Sequence, residues 1–276
     1  METGIIRPWT SFYSHEGYVR ALYLANGDVL LSGAPTFDAE NAMHSRSHDA
    51  ELWVLDKSLT KRPVALGEKC SEGPAVSRTA MRIAWTVTHQ NYPDKLPEGV
   101  SQMWLGDIEY AGDGQPKLVN KRLALDSRNL AFKCTLETQN FRRPEERELT
   151  FSAYGYQGTD VMGLNLDTKA VVNYSEAPNE YNEPEGIFPD GQHTLVECDR
   201  QNHKGDQYID IWKLPLDGSH DMERLTFFSD YPGYKSSNPV VSDDGRYMAF
   251  QMAKTGDMAG FGRGIFVYDL ATAKKK

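Results

Sequence analysis

"PEGIFPDGQHTLVECD" (Pro184 to Asp199) and "NPVVSDDGRYMAFQMA" (Asn238 to Ala253) fall into register, and that register decides the fold. Asp190-Gly191 lies over Asp244-Gly245, each with a short apolar run before it and another after it. Asx-Gly between apolar runs is the strongest short-range hairpin signal, because these residues accept the positive φ of a tight primed turn. Each stretch reads as strand, turn, strand. A third strand follows in each, "IDIWKLPLDG" in one and "GIFVYDLAT" in the other.

The frame recurs upstream. "YVRALYLANGDVLLSG" has its turn at Asn26-Gly27 and closes with "AELWVLDK"; "GPAVSRTAMRIAWTVT" has lost the glycine and closes with "SQMWLGDIEYAGDG". A looser copy is "TQNFRRPEERELTFSAYG", closed by "GTDVMGLNLDTKAVVNYS". Equivalent positions are Leu24, Ser77, Arg143, Phe188 and Ser242, spaced by 45 to 66 residues, the length of a four-stranded sheet plus a loop. Fourth strands are expected at "KRPVALG", "PKLVNKRLAL", "KAVVNYS" and "MERLTFF"; the last copy has none before the chain ends in lysines. The strand-like "GIIRPWTSFY" (Gly4 to Tyr13) could complete it and remove an open edge. The expectation is an all-β, single-domain β-propeller over residues 1–276, with five blades of four antiparallel strands closed by an N-terminal strand. Six or seven blades is the alternative, if further copies have diverged.

Composition agrees. Aromatic residues make up 11% of the chain, with 23 Gly and 14 Pro as punctuation between short strand-forming runs. A net charge of -9 argues against a partner gripped through its phosphates, so no nucleic acid is expected. No apolar window is long enough to span a membrane, and "METGIIRPWTSFYSHEG" lacks the basic start and apolar core of a signal peptide. Cys70, Cys134 and Cys198 are too widely spaced for a compact zinc pattern and read as reduced, buried thiols.

The unit from Asn238 resembles the repeat of TolB-like propellers, a superfamily that includes the Tol-associated propeller and the oligogalacturonate lyases. Pro239, Ser242, Asp244, Gly245, Phe250 and Asp269-Leu270 match the repeat, and Pro189-Asp190-Gly191 matches it in the preceding copy, where Phe188 replaces the usual Ser. The match is specific over about Glu183 to Leu270 and covers the rest as architecture. The resemblance implies a bacterial, periplasmic or secreted protein, but the repeat marks a fold, and fold does not fix function. No Gly-x-Ser-x-Gly elbow marks a hydrolase domain.

In a propeller the first strand of each blade lines the central channel, so the segments leading into those strands are the place to look for a site. They carry Glu16, Glu72, Glu137 with Gln139, and Glu183 with Glu185. Converging carboxylates repel, which raises the pKa of some or calls for a cation between them. The sharp reading is a polar-ligand or divalent-cation site in the central channel. The bland one is carboxylates that accept backbone N–H bonds.

A second cluster, Asp199, Arg200, Gln201, Asn202 and His203, follows the second strand of the fourth copy, and strand-turn-strand geometry should return it to the rim near Glu183 or Glu185. Related polar loops hold His89, Gln90 and Asn91, and Tyr154, Tyr156 and Gln157. Such side chains suit a monomeric scaffold that holds a protein or oligosaccharide ligand in the polar funnel. They could also serve a carbohydrate-active enzyme. A uronate lyase would use His203 or His89 as base and Arg200 as charge neutraliser, while a glycosidase would draw two carboxylates from Glu72, Glu185 and Asp199. His44 and His48, four apart in a loop-like stretch, make a weak metal pair, and His193 reads as packed within a strand.

Overall fold

The structure, a computed structural model, describes residues 20–33, 50–58, 61–257 and 261–272. Five antiparallel sheets contain all the described strands, and each is a blade of an all-β propeller. The chain divides into two compact units, Met1–Asp126 and Ser127–Lys276.

The first unit holds two blades. Blade 1 comprises β1 (Arg20–Tyr23), β2 (Val29–Gly33), β3 (Glu51–Leu55) and β4 (Val64–Lys69), and blade 2 comprises β5 (Ser71–Val76), β6 (Arg82–Thr88), β7 (Ser101–Tyr110) and β8 (Pro116–Asp126). Their shared core packs Leu30, Leu52, Ile83 and Trp85, all fully buried. At its margin the Tyr110 hydroxyl bonds the Asp28 carboxylate, and burial together with that bond pushes the phenol up to about 12.

Three blades form the second unit. Blade 3 is β9 (Thr135–Phe141), β10 (Glu148–Tyr154), β11 (Thr159–Asn165) and β12 (Val171–Asn173). Blade 4 is β13 (Asn182–Ile187), β14 (His193–Cys198), β15 (Asp210–Pro215) and β16 (Glu223–Arg224), and blade 5 is β17 (Tyr234–Val241), β18 (Tyr247–Lys254) and β19 (Ile265–Asp269). First strands sit side by side: β13 touches both β9 and β17. The segment expected to supply a closing strand, residues 4–13, lies outside the described residues.

The turns follow the chemistry of their residues. Gly191 has φ +66°, and a Cβ there would strike the Arg143 carbonyl oxygen at 1.5 Å, so only glycine fits. Asp190 Oδ1 closes the same turn by accepting the Gln192 N–H at 2.9 Å. Blade 2 makes its turn without glycine: Ser77 Oγ accepts the N–H groups of Thr79 and Ala80 at 3.2 and 2.8 Å. The expected fourth strand at "MERLTFF" is cut to two residues because Asp210 draws the chain inward. That buried carboxylate accepts from Arg224 at 2.6 Å, Thr226 Oγ1 at 2.9 Å, the Phe228 N–H at 2.8 Å and Ser229 Oγ at 2.5 Å. Cys70, Cys134 and Cys198 are free and buried.

Candidate functional site

The side chains expected just ahead of the first strands lie within them: Glu72 on β5, Glu137 and Gln139 on β9, Glu183 and Glu185 on β13. Opposite Glu183, as its cross-strand partner on β14, stands Glu197. Glu137, Gln139, Glu183 and Glu197 are all at least 92% shielded from solvent. Burying carboxylates this deeply is costly unless each is paired or protonated.

Two tyrosines join them. The Tyr154 hydroxyl, at the end of β10, bridges Glu137 Oε2 and Glu183 Oε1, and the Tyr181 hydroxyl bonds Glu183 Oε2. Gln139 Nε2 donates to Glu183 Oε1 and to Ser152 Oγ, each at 3.4 Å. On the far side a bulge in β17 puts Asn238 at φ +51° and directs its N–H onto Glu197 Oε1. Burial pushes the Glu197 carboxyl well above the usual range, and the charges of Glu183 and Glu185 push it further; the Asn238 N–H and Lys235 act the other way. Burial, with Glu183 and Glu197 nearby, also drives the Tyr181 phenol far upward, so it remains a donor.

The loop after β14 is held differently. Asp199 Oδ1 accepts the Tyr181 N–H at 2.8 Å and Oδ2 accepts the Gly205 N–H at 2.6 Å. Arg200 Nε pairs with Glu180 Oε2 at 3.4 Å, and His203 Nδ1 lies 3.9 Å from the other oxygen of the same carboxylate. Gln201 Nε2 donates to the Tyr208 carbonyl and to Ser229 Oγ, both at 2.9 Å. The hairpin thus returns Asp199 to Tyr181, and Arg200 and His203 to Glu180. The Glu183 carboxylate turns instead to the tyrosines.

Elsewhere His89 is fixed within its own loop, with Nδ1 2.6 Å from the Leu96 carbonyl. Glu72 is exposed at φ +57°. His193 packs edge-on to Phe188, with its pKa lowered by burial and by Lys213, in keeping with a packed residue. Glu16, His44 and His48 lie outside the described residues. Among the described residues, no group of three His, Cys, Asp or Glu is placed to hold a metal ion.

A ligand-sized hollow of about 350 Å³ opens in the second unit, lined by Phe227, Phe228, Tyr231, Tyr234 and Met252. Among the described residues its lining offers aromatic rings, two of them phenols, and a thioether, with no carboxylate, imidazole or cation. The cluster of carboxylates and the hollow are built from different residues. Sequence reasoning missed Glu180, Glu197 and the bridging role of Tyr154 and Tyr181; the one available signal was an acid inside the otherwise largely apolar strand "TLVEC".

No protein-family model matches the chain, and no curated protein matches it. Solved structures do. A TolB-type protein of Agrobacterium tumefaciens superposes with a TM-score of 0.60 at 18% identity, covering 94% of this chain and 77% of that one. The TolB of Acinetobacter baumannii gives 0.56 at 14%, covering 94% and 66%. The chain has the TolB-like propeller fold. An oligogalacturonate lyase in complex with manganese shares it too, at a TM-score of 0.51 and 13% identity, with 95% and 77% covered. Identities this low establish the fold alone.

Proposed function

We propose that this TolB-like propeller is a binding scaffold, presenting the polar face of its inner strands to a protein or glycan ligand. It works as a monomer in the periplasm or as a secreted protein. The observation that carries the reading is the separation of chemistry from space. Catalysis needs an acid, a base and a charge stabiliser within reach of one ligand-sized pocket. Here Glu137, Glu183 and Glu197 are buried, Asp199 and Gln201 hold the loop after β14, Arg200 and His203 share Glu180, and among the described residues the lining of the hollow beside Tyr231 has no carboxylate, imidazole or cation. A scaffold needs only a complementary surface, and the exposed His203 and the partly exposed Glu185 and Arg200 are the polar side chains available for contact.

The test uses a panel of uronic-acid and neutral oligosaccharides and periplasmic peptides, with binding followed by calorimetry and product by mass spectrometry in the same samples, with and without manganese. The scaffold reading expects binding without turnover, weakened by Arg200→Ala and His203→Ala. Turnover that disappears in those variants would establish the carbohydrate-active enzyme instead.

A further inference from the structure

The hollow beside Tyr231 has a fixed floor and adaptable walls. Asp210 accepts the N–H groups of Phe228 and Ser229 at 2.8 and 3.3 Å, which pins the short turn carrying Phe228. The Phe228 ring stands edge-on to Phe250 and Phe266, with centroids 5.9 and 5.4 Å away, so the floor is held from two sides. Above it Tyr231 is 67% exposed, and Met252 contributes an unbranched thioether that adjusts to what it touches.

Size and chemistry narrow what fills such a space. About 350 Å³ lies near the lower end of the range for ligand pockets, roughly 300–1,000 Å³, which gives room for one ring system and not for a chain of sugars. Among the described residues the lining offers a sugar two phenols and no other hydrogen-bonding side chain, so most of its hydroxyls would be desolvated without a partner. An apolar ring carries no such cost. The apolar surface also continues past the hollow over Phe266, which touches the floor and is 42% exposed. A patch that spreads beyond its own pocket suits a protein partner better than a small molecule.

Charge at the rim adds a second element. Lys254 is the cross-strand partner of Tyr234, and it lies two residues beyond Met252 on the same face of β18. It is exposed, and among the described residues no carboxylate pairs with it; Asp257, close by in the chain, is taken by Arg263 at 2.9 Å.

We infer that the hollow is the anchor pocket for a segment of a partner protein, filled by an aromatic side chain whose acidic neighbour in that segment meets Lys254. This rests on the scaffold reading and chooses protein over glycan for this surface.

The experiment follows carbon-13-labelled methionine methyl signals of the full chain, with Met252 identified through Met252→Leu. The probes are blocked dipeptides of tryptophan–glutamate, tryptophan–glutamine and glycine–glutamate, with methyl galacturonate as the sugar. The expected result is a saturable ring-current shift of the Met252 methyl with both tryptophan peptides, at a roughly millimolar Kd for a single anchor. The glutamate peptide binds about two- to fivefold tighter than the glutamine peptide, and Lys254→Gln erases that difference while keeping the shift. Tyr231→Ala weakens both tryptophan peptides about five- to tenfold. Both substitutions fall at exposed positions, and the other methionine signals report whether the fold is intact. A Met252 shift with galacturonate and none with tryptophan would overturn the assignment in favour of a glycan. No shift with any probe would overturn it too, and equal binding of the two tryptophan peptides would remove the Lys254 contact. None of these outcomes touches the scaffold reading itself, which calorimetry of the Arg200 and His203 variants tests separately.

Discussion

Asp210 and Glu197 are buried acids on adjacent strands of blade 4, and they are treated in opposite ways. Asp210 is surrounded by donors: the Arg224 guanidinium, three hydroxyls from Thr226, Ser229 and Ser236, and the N–H of Phe228. Glu197 receives one backbone N–H and the attraction of Lys235, against burial and the like charges of Glu183 and Glu185. One charge is fully compensated by the protein, so it fixes local structure. The other is opposed by burial and like charges, which push its carboxyl well above the usual range. Burial alone distinguishes neither case; the sign of the neighbours does.

The difference can be broken most severely at Asp210. Asp210→Asn leaves Arg224 with a weakened buried partner and should cost about 3–5 kcal/mol in urea unfolding, the usual penalty for breaking a buried pair. Asp199 is the intermediate case, compensated by two backbone N–H groups and no cation. Asp199→Ala strands both donors and should cost about 1–3 kcal/mol, while hydrogen exchange at Tyr181 and Gly205 accelerates. Ser77→Ala removes the hydroxyl that replaces a glycine turn in blade 2, and should cost about 1 kcal/mol. Glu197→Gln sits at the bottom of the series, with no loss of stability at neutral pH, because the amide spares the folded state the cost of a buried carboxyl held above its ordinary pKa. The single-domain reading adds a global expectation: calorimetry of the full chain gives one cooperative transition, and two resolved transitions would separate the units.

These contrasts mark how far the sequence could be read. Blades 4 and 5 were legible because Asp190-Gly191 and Asp244-Gly245 announce their hairpins locally, and Gly191 is demanded by a backbone contact as well as by its φ. Blade 2 was fainter because Ser77 does the work of a glycine through its side chain. The short fourth strand of blade 4 was hidden, since Asp210 overrides the strand tendency of "MERLTFF" from another strand. For the site, convergence of Glu137 and Glu183 followed from their positions in equivalent strands. Its chemistry did not. Tyr154 and Tyr181 lie on different blades' segments, and nothing in one dimension joins their hydroxyls to a single carboxylate. Asp199, Arg200 and Gln201 were conspicuous as a polar run, yet conspicuous polarity there holds a loop to Tyr181, Glu180 and Ser229.

Blade 4 thus holds two buried acids in opposite settings, Asp210 ringed by donors and Glu197 set against like charges. The most direct measurement is urea unfolding of Asp210→Asn and Glu197→Gln, side by side with wild type at one neutral pH. A large loss for Asp210→Asn with Glu197→Gln at least as stable as wild type is the predicted result, and equal losses in the two variants would contradict it.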